Sequence, residues 1–213
     1  MIARCFNFAF ALLLAAGLAH AQAAQPEAPD PPAVSSQQSY APITGQQRLH
    51  WFLRSTVGVQ SLTGGLFSAG IGTWRDKPVE YGPHWGGFGS RYGMRLTGVS
   101  TGNAMEAGLG ALWSEDPRYP RAASGPVKSR IGHVVLMTFV ARRRDGRFKP
   151  AYARFIAEPG NNFLSNTWRA DSEATAQAAA IRTVYGFLGR MGGNAFKEFW
   201  PSVSQRIFHH AEK

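Results

Sequence analysis

Five consecutive residues, Gly98-Val99-Ser100-Thr101-Gly102, fit the G-x-S-x-G pattern of a hydrolase nucleophile. Asp171 and His209 follow in the chain order of an α/β-hydrolase triad. The chemistry would be acyl transfer from an exposed serine hydroxyl. It requires a strained turn between a buried strand and a helix, which lifts the serine above the sheet. The residues before it, SRYGMRLT, carry two arginines and do not read as a buried strand. Ser100 falls midway along a helical pattern instead, and the sequence assigns no catalytic residue. An acid–base enzyme using Glu106 or Glu198 is the other enzymatic alternative.

Metal chemistry has no better footing. His50, His84, His133, His209 and His210 are scattered, without the H-x-x-x-H or H-E-x-x-H spacing that sets two imidazoles on one helix face. His133 lies in an apolar run and reads as a core or interface residue. Glu115-Asp116, just ahead of Pro117, reads as helix-end punctuation. No metal and no cofactor is implied.

Two polar stripes are more informative. Arg190, Asn194 and Glu198 recur at i, i+4 and i+8, one above another on a helix face. Arg95, Asn103 and Glu106 fall near one face of an earlier helix, again with arginine on the N-terminal side. If these helices pack antiparallel, Arg95 meets Glu198, Arg190 meets Glu106, and Asn103 and Asn194 bond between them. Such pairing is required if the faces are buried, because an unpaired charge in an apolar bundle is costly. The alternative is that both faces look into water.

The densest positive cluster is Arg142-Arg143-Arg144 with Arg147 and Lys149, around Asp145-Gly146. Against a membrane it would contact anionic headgroups, each charge contributing on the order of 1 kcal/mol; the alternative is a solvated turn. As a nucleic-acid patch it lacks interleaved aromatics, which disfavours that partner.

The elements that must position these residues read as a mainly α, glycine-rich helical bundle. Thr44 is an N-cap ahead of GQQRLHWFLRSTVG. Ser55–Trp74 is an uncharged stretch long enough to cross a bilayer as one helix. Further helices are expected over Ser90–Trp113 and from a Ser172 cap to a stop at Pro201. Residues 131–157 fit either a short β-hairpin or two helices, with non-alternating apolar positions favouring helices. Small residues recur at four-residue spacing in Gly65/Ala69, Gly89/Gly93, Gly98/Gly102 and Gly189/Gly193. That spacing lets helix backbones approach closely, within the chain or between copies in a homo-oligomer.

The first residues have a basic start (Arg4), an apolar run from Phe6 to Ala19 and a small-x-small exit at Ala19-His20-Ala21. This is the pattern of a signal peptide over residues 1–21, cleaved before Gln22. The only cysteine, Cys5, lies inside it. A Pro-rich linker is expected over 22–43, one helical domain over 44–208 and a flexible tail over 209–213. The formal net charge of +10 points to anionic partners. Together these features predict an exported, membrane-associated protein of the cell envelope or periplasm, binding anionic lipid rather than catalysing a reaction. The alternatives are an envelope hydrolase using Ser100 or a buried glutamate, and a soluble periplasmic binding or scaffold domain.

The segments QRLHWFLRSTVG, YGPHWGGFGSRYGMRL, EDPRYP, NNFLSNTWRADSE and GGNAFKEFWP resemble a group of exported proteins from acidobacteria. The resemblance covers most of residues 44–202. It implies a stand-alone domain and brings no activity, cofactor or site residue with it.

Overall fold

The computed structural model describes residues 40–122 and 124–209, with side chains described as far as Gln205. The expected signal peptide and most of the expected linker lie outside the described residues. The helical domain belongs to the unit Pro42–Lys213. Its elements in order are α1 (Gly45–Val57), α2 (Val59–Trp74), α3 (Trp85–Leu112), β1 (Glu115–Asp116), α4 (Val127–Phe139), β2 (Val140–Arg143), β3 (Phe148–Pro150), α5 (Tyr152–Leu164) and α6 (Ala176–His209). Short 3-10 turns occupy Val79–Tyr81, Ser165–Thr167 and Asp171–Glu173. The fold is mainly α, with a small antiparallel sheet ordered β1-β2-β3.

The start of α1 follows from local chemistry. Thr44 Oγ1 accepts from the Gln47 amide at 3.2 Å, and the Gln47 side chain accepts from the Thr44 amide at 3.1 Å, a reciprocal capping box. The single helix expected over Ser55–Trp74 does not form. Gly58 is extended (φ −70°, ψ 157°) and splits it. The remaining α2 has 16 residues. At 1.5 Å per residue that is about 24 Å, less than the roughly 30 Å of a bilayer core. Among the described residues no helix is long and apolar enough to cross a membrane.

Region 131–157 contains both alternatives. Helix α4 runs to Phe139, and the chain then turns through a hairpin whose register pairs Val140 with Pro150, Ala141 with Lys149 and Arg142 with Phe148. The turn is closed by the Gly146 amide donating to the Arg143 carbonyl at 2.8 Å, with Gly146 at φ 77°. A side chain rarely adopts that φ, so Asp145-Gly146 is the turn signal that counts. The last helix also differs from expectation. Ser172 sits in a 3-10 turn and bonds to Glu80, while Thr175 caps α6 by accepting from the Ala178 amide at 3.1 Å. The helix continues through Pro201 to His209, where a tail is expected. Three residues before Pro201, Arg121 and Arg130 both donate to the Glu198 carbonyl.

Helix α3 is central and packs against α1, α2 and α5, whereas α6 packs mainly on α4 and α5. The sequence pairs the two stripe-bearing helices directly; in the fold α5 contacts both. Small residues make the close approaches at some of the expected positions. A Cβ added at Gly65 would lie 2.7 Å from the Tyr92 ring, and one at Gly102 would lie 3.0 Å from Asn161 Nδ2. A Cβ added at Gly89, Gly93 or Gly189 would meet none of the described residues within 4 Å, whereas one at Gly193 would lie 3.6 Å from Gln60 Nε2.

The distribution of side chains is inverted. Buried apolar residues are mostly alanine (Ala69, Ala141, Ala151, Ala153, Ala157, Ala179), joined by Val134 and Met137. Arg91, Glu106, Glu115, Asp116, Arg154, Asn194 and Glu198 are buried with them. Large apolar side chains lie outside on every α-helix, including Phe67, Trp74, Trp85, Ile131, Ile156 and Tyr185. Fully burying such a side chain contributes about 1.5–3 kcal/mol, and here much of that is not collected within the chain. An exception is the half-exposed aromatic cluster of Phe139, Phe155 and Phe187, which ties α4, α5 and α6 with ring centroids 5.7–6.3 Å apart.

Candidate functional site

The buried charges form layers along the inner face of α6. In the first, Glu106 of α3 accepts from two arginines: Arg154 of α5, Nε to Oε1 at 3.1 Å, and Arg190 of α6, at Oε2. Arg154 is only 4 % exposed. Its Nη1 donates to the carbonyls of Thr138 (2.7 Å), Met137 (3.2 Å) and Val140 (3.4 Å). These lie where α4 ends and its carbonyls lack intrahelical partners, so one guanidinium both caps a helix and neutralises a glutamate. Burial pushes the Arg154 pKa down and Arg190 adds to that, while Glu106 opposes it.

One turn along α5, Glu158 carries a carboxyl in a poorer setting. Its Oε1 accepts weakly from Asn162 Nδ2 at 3.4 Å and packs on the α6 backbone at Gly186, where a Cβ would overlap it. Burial raises its pKa above 4.5, outweighing the pull of Arg190. An acid whose pKa is higher folded than unfolded stabilises the protein below the unfolded value. That contribution is lost as pH rises through the folded value. Glu158→Gln is therefore expected to unfold at a higher temperature than the parent protein at pH 7 and at the same temperature near pH 4, read by thermal denaturation at both.

In the second layer Asn194 donates to Thr138 Oγ1 at 3.3 Å, joining α6 to α4. In the third, Glu198 is 0 % exposed and all its bonds are made. Oε1 accepts from Arg130 Nε at 2.8 Å; Oε2 accepts from the Tyr119 hydroxyl at 2.9 Å and the Ala122 amide at 3.1 Å. Burial alone would raise the Glu198 pKa, but the bonds from Arg130, Ala122 and Tyr119 together hold it below 4.5. Burial and the neighbouring carboxylate push the Tyr119 hydroxyl upward. Arg130 also lies over the Phe199 ring, 4.6 Å from its centroid.

A fourth charged group closes the sheet end. Glu115 of β1 pairs with Arg143 of β2 at 3.3 Å and accepts from the Ala153 amide at 3.0 Å, in the first turn of α5. That is a favourable place for an anion.

The expected pairing of the stripes is half realised. Arg190 meets Glu106, as the antiparallel arrangement requires. Arg95 does not meet Glu198; its Nη1 donates to the Ser61 carbonyl of α2 at 3.0 Å, and burial lowers its pKa. Asn103 and Asn194 do not meet either: Asn103 Nδ2 donates to Thr56 Oγ1 of α1 at 3.1 Å. The cause is the helix order. Helix α3 turns its polar face to α1, α2 and α5, and only a long arginine reaches Glu106 from α6. Arg154, Arg130, Glu158 and Tyr119 escape the sequence reading. Arg154 and Glu158, four apart within YARFIAEP, were the available signal, because charge recurring in an apolar helical run marks an inward face.

Of the basic cluster, Arg143 is committed to Glu115 and the Trp113 carbonyl, and Arg142 stacks over Phe148 at 4.8 Å. Arg144, Arg147 and Lys149 are exposed. Ser100 lies within α3 rather than on a strand-to-helix turn, and Asp171 in a 3-10 turn; the His209 side chain is outside the described ones. His133 Nε2 bonds to the Pro120 carbonyl at 2.8 Å. Among the described residues no group of three or more His, Cys, Asp or Glu is arranged to hold a metal ion.

Glu106 and Glu198 thus have both oxygens occupied by donors from the chain itself, an arrangement that fastens helices. These features define a class: a helical bundle fastened by arginine–carboxylate layers and faced with apolar side chains. Comparison with models of known protein families, with characterised proteins and with solved structures gives no match for the chain.

Proposed function

We propose that the protein is an exported, membrane-associated helical protein of the cell envelope that binds anionic lipid surfaces. The observation that carries this reading is the inverted side-chain distribution, with Trp85 85 %, Trp74 82 % and Phe67 75 % exposed while Glu198 is fully enclosed. A surface this rich in large apolar groups marks an interaction site. The charge of +10 and the exposed Arg144, Arg147 and Lys149 favour an anionic partner. With no described helix able to span, attachment is by side chains entering one interface. The apolar run from Phe6 to Ala19 supports export. A hydrolase alternative would draw on Ser100 in mid-helix, or on Glu106 and Glu198, whose oxygens are occupied.

The test is co-sedimentation with vesicles of phosphatidylcholine alone or with phosphatidylglycerol. The protein is expected to pellet with the anionic vesicles and to be partly released by about 1 M salt, where the Debye length falls to about 3 Å. Protein left in the supernatant with both compositions sinks the reading in favour of a soluble scaffold.

A further inference from the structure

Resting on that reading, we infer that the tip joining α2 to α3 is the element that enters the anionic bilayer interface. Trp74 ends α2 and Trp85 begins α3, so two highly exposed indoles flank one loop, and Val79 at its middle is also exposed. Phe88 stacks behind Trp85 edge-to-face at 5.9 Å, and Tyr92 lies parallel to Phe88 at 6.3 Å, giving the indole a firm base.

The loop is fastened to α3 by hydrogen bonds. Buried Arg91 donates to three of its carbonyls: Lys77 at 2.8 Å, Gly82 at 2.6 Å and Pro78 at 2.9 Å. Gly87 lets the loop close on α3, because a Cβ there would overlap the Gly82 and Tyr81 carbonyls. A pre-formed tip loses little conformational freedom on binding.

Charge selects the partner. The two acids of the loop have partners within the chain, although both reach the surface: Asp76, its side chain 42 % exposed, pairs with Arg91 at 3.3 Å, and exposed Glu80 accepts from Ser172. Arg75 and Lys77 are exposed, and neither is in an ion pair with a described residue. The tip therefore presents indoles flanked by cations. That combination fits the headgroup layer of an anionic membrane, where indoles seat at the interface and cations meet phosphates.

The experiment uses the full chain and vesicles of phosphatidylcholine with or without phosphatidylglycerol. Trp74→Ala/Trp85→Ala is expected to weaken binding to the mixed vesicles by roughly tenfold or more. Arg75→Gln/Lys77→Gln should weaken it on mixed vesicles and leave phosphatidylcholine binding unchanged. Val79→Cys in a Cys5→Ser background, carrying an environment-sensitive dye, should shift to the blue on mixed vesicles; this reads insertion even where the tryptophan variant folds poorly. Binding by the parent protein with no dye shift and no loss in the tryptophan variant overturns the tip and leaves the membrane reading standing. Failure of the parent protein to bind any vesicle overturns both. A dimer that the tryptophan variant abolishes while vesicle binding is unchanged, or retention on a polysaccharide without vesicle binding, overturns the tip in favour of a second copy or a sugar.

Discussion

Arg154→Met is expected to cost about 3–5 kcal/mol of folding stability, the range for removing one partner of a buried ion pair. Methionine approximates the length of the arginine stem, so loss of volume is a small part of this. The charge is the larger part. Arg154 donates to Glu106 and to the carbonyls of Met137, Thr138 and Val140 from a fully enclosed position. Its removal leaves Glu106 with Arg190 alone and strands the C-terminal carbonyls of α4. In a domain of this size the midpoint of thermal unfolding should fall by roughly 6–20 °C. Urea unfolding followed by far-ultraviolet circular dichroism measures it. Glu106→Leu in the Arg154→Met background should not restore the loss, because it takes from Arg190 the carboxylate it pairs with. A cost below about 1 kcal/mol would mean that water already reaches the layer.

Glu198→Gln should cost roughly 3 kcal/mol, although it preserves shape. Each carboxylate oxygen faces donors, Arg130 on one and Tyr119 with Ala122 on the other. An amide must turn its NH2 group towards one of those donor sets, so a donor meets a donor in a closed interior. The pH dependence has a definite sign. The folded carboxyl titrates below 4.5, so its contribution is present above that value and disappears as pH falls through the folded value. The parent protein should therefore lose stability on acidification below about pH 4.5 more steeply than Glu198→Gln. Urea midpoints at pH 7 and pH 3.5 compare them; equal slopes would show that the carboxylate is not what holds the loop of Tyr119 and Ala122 to α6.

Much of the architecture was legible because it rests on neighbours in the chain. The Thr44 cap, the helical character of the four-residue spacings and the turn at Asp145-Gly146 depend on residues within a few positions of each other. The α6 stripe was legible as one face, since Arg190, Asn194 and Glu198 recur every four residues; its burial was not, because the same spacing fits a face turned to water. The helix boundaries at Gly58 and Ala176 were less legible. A glycine can end a helix or lie inside one, and Ser172 and Thr175 are equally able caps until Glu80 takes the first.

What the sequence determined by itself is a mainly α chain, basic, with charges confined to particular helix faces. Periodicity assigns a residue to a face because the backbone repeats every 3.6 residues, whatever lies opposite. Only the tertiary structure decided who lies opposite. Helix α5 contacts both α3 and α6, so Glu106 takes Arg154 as well as Arg190, Glu198 takes Arg130 from 68 positions away, and Arg95 turns to a carbonyl of α2. Helix order and the reach of long side chains settle those partners. The same packing spends the interior on alanine and paired charge and leaves the large apolar side chains outside, Trp74 and Trp85 foremost.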